Sequence, residues 1–309
     1  LRPEHRGNVV TIGSFDGVHL GHQAIIQQLL AQSRRLGLPS MVVVFEPQPH
    51  EYFSGEKAPA RLMRLSEKVA ALFAEGVERV CCLQFNRQLR SLSAAEFISR
   101  VLVNGLGVKY LVIGDDFRFG CDRRGDYRLL QQAGDTNGFT VTDTRTYTVS
   151  EQRVSSTRIR DLLQQGNLSL AKTLLGRPYT ISGKVIRGQQ LGRQLGTPTA
   201  NVHLHRYRSP LAGVFAVVTR LPSGEQVNGV ANVGVRPTVG GDTKPLLEVH
   251  LFDRNDDLYG QLIEVDFKYK LRDEKRFDGL DKLKAQIQQD ILAARQFFTD
   301  SVTVGDNNV

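Results

Sequence analysis

Two histidines flank a glycine at one residue's distance in Gly13-Ser14-Phe15-Asp16-Gly17-Val18-His19-Leu20-Gly21-His22. An apolar run precedes this stretch and a helical pattern follows it. Glycines at such a turn let a phosphate approach the backbone, and the start of a helix favours anions. Gly13, Phe15 and Gly21 would shape that turn. His19 and His22 can hydrogen-bond phosphate oxygens and stabilise charge that develops during transfer at phosphorus. A tight turn with two exposed histidines accounts for the same residues, and the stretch alone leaves both readings open.

Three further stretches have the same double character. In Val154-Ser155-Ser156-Thr157-Arg158-Ile159-Arg160, two serines and a threonine cap a helix with two arginines in its first turns. Arginine there opposes the helix dipole. A polyphosphate held by Ser156, Thr157 and Arg160 resolves that oddity; a capped surface helix is the plainer reading. In Gly114-Asp115-Asp116-Phe117-Arg118-Phe119-Gly120, carboxylates can bind a hydroxyl or a hydrated metal, and phenylalanines can stack on a flat ring. A turn with core aromatics is the alternative. The third stretch runs from Gly183 through Gly188 and Gly192 to Thr197-Pro198-Thr199-Ala200-Asn201. Its glycines can wrap phosphates with backbone donors. The Thr199 hydroxyl and Asn201 carbonyl are hard oxygen ligands suited to magnesium. The alternative is a glycine-rich hairpin.

These residues need a scaffold. Strand patterns at 8–12, 41–46, 79–85, 109–114 and 139–147 alternate with helical ones at 21–36, 66–75, from 93 onward and at 125–133. Gly37 stops the first helix, Ser66 caps the second, and Ser93 with Glu96 makes a capping box. The alternation predicts a doubly wound, Rossmann-like parallel sheet with helices on both faces, with ligands at the carboxyl ends of its strands. Phe85-Asn86 and Phe45-Glu46-Pro47 end two more strands on that rim. A helical pair, 157–165 and 168–175, leads to Arg177-Pro178, where the pattern changes. Short strands follow at 179–186, 213–220, 226–231, 246–252 and 261–270, predicting a small antiparallel β-barrel. A long C-terminal helix at 280–298 carries Leu280, Leu283, Ile287, Ile291 and Ala294 as its apolar stripe. The tail from 301 is expected to fray. The domains are therefore expected at 1–177 and 178–309.

Composition narrows the function classes. The chain of 309 residues, 40% hydrophobic and 23% charged, suits a soluble protein of about two domains. It opens on Leu1, so a few natural residues are expected before it. No apolar run approaches the ~18 residues of a membrane span, and no secretory signal opens the chain. Cys81, Cys82 and Cys121 have no metal spacing, and their odd number fits a reduced, cytoplasmic setting. The net charge of +8 suits polyphosphate substrates as well as nucleic acid. The basic residues are spread and no aromatic RNA-binding signature accompanies them, which argues against nucleic acid.

Together these strings resemble the bifunctional prokaryotic riboflavin kinase/FAD synthetases. GSFDGVHLGH with GDDFRFG and SSTRIR resembles the FAD synthetase module, although members more often have Asn where Ser14 stands. The glycine-rich string ending in PTAN resembles the riboflavin kinase signature. The resemblance implies an N-terminal nucleotidylyltransferase domain that joins FMN to ATP, giving FAD and pyrophosphate. It implies a C-terminal kinase that makes FMN from riboflavin and ATP. His19, His22 and Arg160 would serve the first reaction, and Glu248 would be the base of the second. Asn86, Asp116, Phe117, Arg272 and Glu274 would hold flavin. Asn232, Arg236 and Asp273 look like further kinase signatures. Magnesium and ATP are implied at both sites, with small-molecule partners and no membrane or nucleic acid; the oligomeric state is left open. A pantetheine-phosphate adenylyltransferase would explain the histidines but not PTAN. A basic RNA-binding or flavin-sensing protein without turnover would leave the intact strings unexplained.

Overall fold

Strands β1 (Val9–Ile12), β2 (Ser40–Glu46), β3 (Arg79–Gln84), β4 (Tyr110–Gly114) and β5 (Thr140–Thr144) form a parallel sheet in the order β3-β2-β1-β4-β5. This computed structural model describes residues 2–114, 116–144, 146–149, 151–188, 192, 196–237, 243–254 and 256–305. Asp115 and, in the glycine-rich string, Leu191 and Arg193 to Leu195 lie outside the described residues, as does the end of the tail from 306. Successive side chains on a strand point to opposite faces, and here both faces are covered. Val10, Ile12, Val43, Leu111 and Ile113 pack with Leu102 and Leu130. Val9, Val42, Val44 and Val112 pack with Ile26, Leu29 and Leu72. These partners come from helices α1 (Leu20–Leu36), α3 (Leu65–Ala74), α5 (Ala94–Glu96, continued by wider π turns over Phe97–Leu106) and α6 (Tyr127–Asn137). Short helices α2 (Pro49–Ser54) and α4 (Arg87–Arg90) follow β2 and β3. A small hairpin, β6 (Thr148–Val149) and β7 (Gln152–Arg153), follows β5.

The helix ends follow local chemistry. Gly37 at φ 61° closes α1, its N–H donating to the Arg34 and Ser33 carbonyls. Ser93 and Glu96 form the expected reciprocal cap. Ser66, expected to cap α3, instead lies in its first turn. The helix starts one residue earlier because Glu67 Oε2 accepts the Arg64 backbone N–H at 2.6 Å.

Six strands close a barrel in the order β10-β11-β12-β9-β8-β13, with every neighbouring pair antiparallel. They are β8 (Tyr179–Ile186), β9 (Ala200–His203), β10 (Gly213–Arg220), β11 (Gln226–Pro237), β12 (Thr243–Leu251) and β13 (Leu262–Arg272). Phe215 and Phe267, both buried, meet edge to face at 5.3 Å. Helix α9 (Leu280–Gly305) continues beyond the expected end at 298. Ile287, Ile291 and Ala294 pack on Val214, Ala216 and Val230, and Phe297 and Phe298 extend that contact. Leu280, expected in this stripe, is exposed.

The chain divides into two compact units, Leu1–Pro59 with Met63–Ser156 and Ala60–Leu62 with Thr157–Val309. Helices α7 (Ser156–Gln164) and α8 (Leu168–Leu175) thus go almost wholly with the barrel, and α8 packs along β8 and β13. Three side chains of the second unit hold three successive carbonyls of its 60–62 strap. Arg160 Nε donates to Ala60 O at 2.6 Å, Arg206 Nη1 to Arg61 O at 3.2 Å, and the Tyr179 hydroxyl to Leu62 O at 2.9 Å. Arg206 Nη1 also donates to the Tyr179 hydroxyl at 2.7 Å.

Candidate active sites

In the parallel sheet, β1 lies between β2 and β4, so successive connections leave it in opposite directions and open a crevice at its carboxyl end. The turn from Gly13 to His19 fills that position and runs into α1. Phe15 at φ 46° and Val18 at φ 40° adopt left-handed backbone, which is costly for a β-branched side chain. Bonds to the turn hold it in that shape. Gln23 Nε2 donates to Val18 O at 3.0 Å, the Met63 N–H to Asp16 Oδ1 at 3.0 Å, and the Ser156 hydroxyl to Asp16 O at 2.8 Å.

His19 caps α1, its Nδ1 accepting the His22 N–H at 3.3 Å. That acceptor role places the proton of neutral His19 on Nε2. The two rings stack at 3.6 Å, inclined by 14°, with Phe15 beside His22 at 4.9 Å. Gly21 leaves room for this stack: a Cβ there would lie 3.2 Å from His19 Cε1 and Nδ1, and the ring would have to give by a few tenths of an ångström. Gly13 similarly leaves room for the Phe15 ring. The expected histidines, Gly13, Phe15, Gly21 and Ser156 are therefore brought together in the first unit. Thr157, exposed, and Arg160, half-buried, belong to the second unit.

The expected flavin residues on the sheet are more dispersed in role. Asn86 follows β3 and caps α4, accepting the Leu89 N–H at 2.9 Å. Asp116 is exposed and ion-paired with Arg153. Phe117 stacks on Phe119 at 5.6 Å, and Phe119 is itself buried against Phe97. Phe119 thus belongs to the core rather than the rim. Sequence reasoning placed Phe85 on this rim but missed the two exposed rings that meet it there. Tyr52 and Phe53 lie edge-on to Phe85 at 5.4 and 5.9 Å. The Arg90 guanidinium lies 5.7 Å from the Tyr52 ring. The signal was Glu51-Tyr52-Phe53, too short for a periodicity. On β3, burial pushes the Cys81 and Cys82 thiols up, which disfavours the thiolate a nucleophile requires.

The barrel carries two cavities that share Thr199. One, of about 290 Å³, lies between Gly188, Asn201, Arg254, Asp256 and Tyr259. The other, of about 230 Å³, lies between Gly192, Asn232, Glu248, His250, Arg272 and Glu274. The PTAN segment, read from sequence as a loop, ends in β9. Strand pairing places Glu248 of β12 directly opposite Asn201 of β9 on one side and Asn232 of β11 on the other. Asn201 is buried at 5% exposure; its Nδ2 donates to Thr199 O at 3.2 Å, and its Oδ1 accepts no hydrogen bond. A buried carbonyl oxygen left open in this way fits a hard cation. The glycines form a cradle around these groups. A Cβ at Gly188 would lie 2.7 Å from the Asn201 amide, and one at Gly192 would lie 3.3 Å from Thr199 Oγ1. His250, on the same strand face as Glu248, donates from Nδ1 to Pro198 O at 2.9 Å and so braces the Thr199 turn. Gly183 pairs opposite Ile263 within β8 and lines neither cavity. Arg236 lies on β11, opposite Lys244.

One wall of the smaller cavity is an ion pair absent from the sequence expectations. Arg272 donates from Nε and Nη2 to Asp290 Oδ1 and Oδ2 at 2.8 and 2.6 Å. Glu274, beside it, lies over Gly234, where any Cβ would displace its carboxylate.

Residues 1–158 match the family model described as FAD synthetase, and residues 175–298 that described as riboflavin kinase. The chain is similar to a bifunctional riboflavin kinase/FMN adenylyltransferase of Pseudomonas fluorescens, with 56% identity covering 96% of this chain and 94% of that one. An Escherichia coli K12 protein of the same description is 52% identical, covering 94% and 93%. A solved structure from Streptococcus pneumoniae, described as a macrolide-efflux protein, superposes with TM-score 0.77 at 31% identity, covering 94% and 93%.

Proposed function

Because the chain belongs to the bifunctional riboflavin kinase/FMN adenylyltransferase family, and so converts riboflavin to FMN and FMN to FAD, we propose how its residues divide the two reactions. Residues 178–309 act as the kinase and 1–177 as the adenylyltransferase. The observation that carries the kinase assignment is the register of Glu248 against Asn201, with the open Asn201 Oδ1 beside Thr199. ATP phosphates lie along Gly188 and Gly192, and the flavin lies in the cavity lined by Glu248, Arg272 and Glu274. Glu248 takes the proton of the riboflavin 5′-hydroxyl while that oxygen attacks the γ-phosphorus, and ADP leaves. Thr199 and Asn201 would hold magnesium, which offsets charge on the phosphates when bound.

In the sheet domain, an FMN phosphate oxygen attacks the α-phosphorus of ATP and pyrophosphate leaves. His22 and the Nε2–H of His19 donate to the oxygens on which charge develops. Ser156 holds the polyphosphate, while Asn86, Asp116 and Phe117 orient FMN. Among the described residues no helix is long and apolar enough to cross a membrane. We read the +8 charge as serving anionic small-molecule substrates in the cytoplasm, rather than nucleic acid or a membrane surface.

The test separates the two reactions with the full chain, riboflavin, ATP and magnesium, and chromatography of the products. His22→Ala should slow FAD formation ~100-fold, by analogy with losing one oxyanion donor, so that FMN accumulates. Glu248→Gln should stop FMN formation and leave added FMN convertible to FAD. Either variant abolishing both steps in a folded protein refutes the division.

A further inference from the structure

Asp290 lies on α9, outside every motif, yet one wall of the smaller cavity depends on it. Its side chain is 8% exposed and grips Arg272 through both carboxylate oxygens. Gln286 Nε2 donates to the same carboxylate at 3.0 Å. Arg272 spends a further donor, Nη1, on the Asp273 carbonyl at 2.9 Å, and its guanidinium lies 5.7 Å from the centre of the Phe277 ring. The guanidinium is thus fixed in plane by α9 and by the chain that joins β13 to it.

This arrangement bears on which flavin the cavity prefers. A guanidinium chelates phosphate through two parallel N–H groups. On Arg272 the Nε/Nη2 edge is already occupied by Asp290, and the other chelating edge has its Nη1 on the Asp273 carbonyl. Riboflavin is uncharged, whereas its phosphorylated product carries close to two negative charges at neutral pH. Resting on the reading that this cavity takes the flavin, we propose that Asp290 is a positioning residue of the kinase reaction. It holds Arg272 against the flavin and cancels its charge, so the cavity favours the neutral substrate over the anionic product.

The experiment follows ADP release, which only the kinase reaction produces, with riboflavin varied and FMN added as inhibitor. In Asp290→Asn the guanidinium keeps a partner of similar shape but loses the countercharge. The riboflavin KM should rise about tenfold, and FMN should inhibit at about one tenth of the parental concentration. The kcat should stay within about threefold, because Glu248 is untouched. Asp290→Glu should restore much of both. Parental KM and parental FMN inhibition in a folded Asp290→Asn protein overturn the proposal, as does a fall in kcat alone. Where melting shows that Asp290→Asn does not fold, Gln286→Ala decides. It frees the carboxylate on one side and keeps its charge, so KM should rise about threefold with FMN inhibition unchanged; a parental KM overturns the proposal. Glu248→Gln separates this question from the cavity assignment. If it still makes FMN at the parental rate, the cavity reading fails; if it does not while Asp290→Asn behaves as the parent, only the role of Asp290 fails.

Discussion

Gly188→Ala tests the phosphate cradle with one methyl group. The added Cβ would sit 2.7 Å from Asn201 Cγ and Nδ2 and 2.8 Å from Oδ1. Carbon atoms pack at about 3.5 Å or more, so the amide must retreat by about 0.8 Å. Asn201 has little room to do so, because it is buried and tied to the Thr199 carbonyl. The Thr199 turn is therefore dragged with it. A misplacement of about 1 Å near reacting groups costs about 100-fold in rate, equivalent to ~2.7 kcal/mol of barrier. The overpacking itself should cost about 1–3 kcal/mol of stability. The expected result is a ~100-fold lower kcat for ADP release with riboflavin, measured in a protein that melts cooperatively a few degrees early. Pyrophosphate release with supplied FMN should match the parent. A folded Gly188→Ala protein with kinase kcat within about threefold of the parent would refute the cradle argument.

Three further outcomes follow from the same geometry. Thr199→Ala should slow the kinase most at limiting magnesium and recover part of its rate as magnesium is raised; an equal deficit at all magnesium concentrations removes Thr199 from the cation site. Tyr179→Phe removes the hydroxyl that donates to the Leu62 carbonyl and accepts from Arg206, a loss of about 1 kcal/mol per hydrogen bond, and should lower Tm by a few degrees in a thermal melt; an unchanged Tm would contradict it. The backbone N–H and then the hydroxyl of Ser93 hold the Glu96 carboxyl below its ordinary value. A depressed folded pKa stabilises above the unfolded value, and that contribution disappears as pH falls through the folded one. The Tm gap between parent and Ser93→Ala should therefore narrow between pH 7 and pH 3; a constant gap would contradict it.

What the sequence revealed, and what it hid, follows the range of the forces involved. Residues 168–175, 179–186 and 213–220 adopt their expected elements at the expected bounds. Local punctuation suffices there: Gly176, for example, ends α8 in left-handed backbone. Ala200–His203 read as loop because nothing local makes Asn201 a strand residue. It becomes one by pairing with β12 and β8. The opening turn was legible as a phosphate-type turn, but the His19–His22 stack was not, since it depends on side-chain packing over Gly21. Asp290 looked like an ordinary polar position on an amphipathic helix; its partner on β13 appears only when α9 folds back over the barrel. The sequence left Phe119 open between ring stacking and the core for the same reason: position on a rim does not reveal whether a ring points outward or inward.

The carbonyl strap at Ala60–Leu62 carries a consequence for biosynthesis. Its three partners, Arg160, Tyr179 and Arg206, lie 100, 117 and 145 residues further along the chain. At translation rates of ~5–20 residues per second, they leave the ribosome roughly 5–30 s after the strap does. During that interval the parallel sheet can assemble while the strap's carbonyls are served by water. A nascent chain halted before Arg160 would therefore display an unfastened loop, open to proteolysis until the first of its partners arrives.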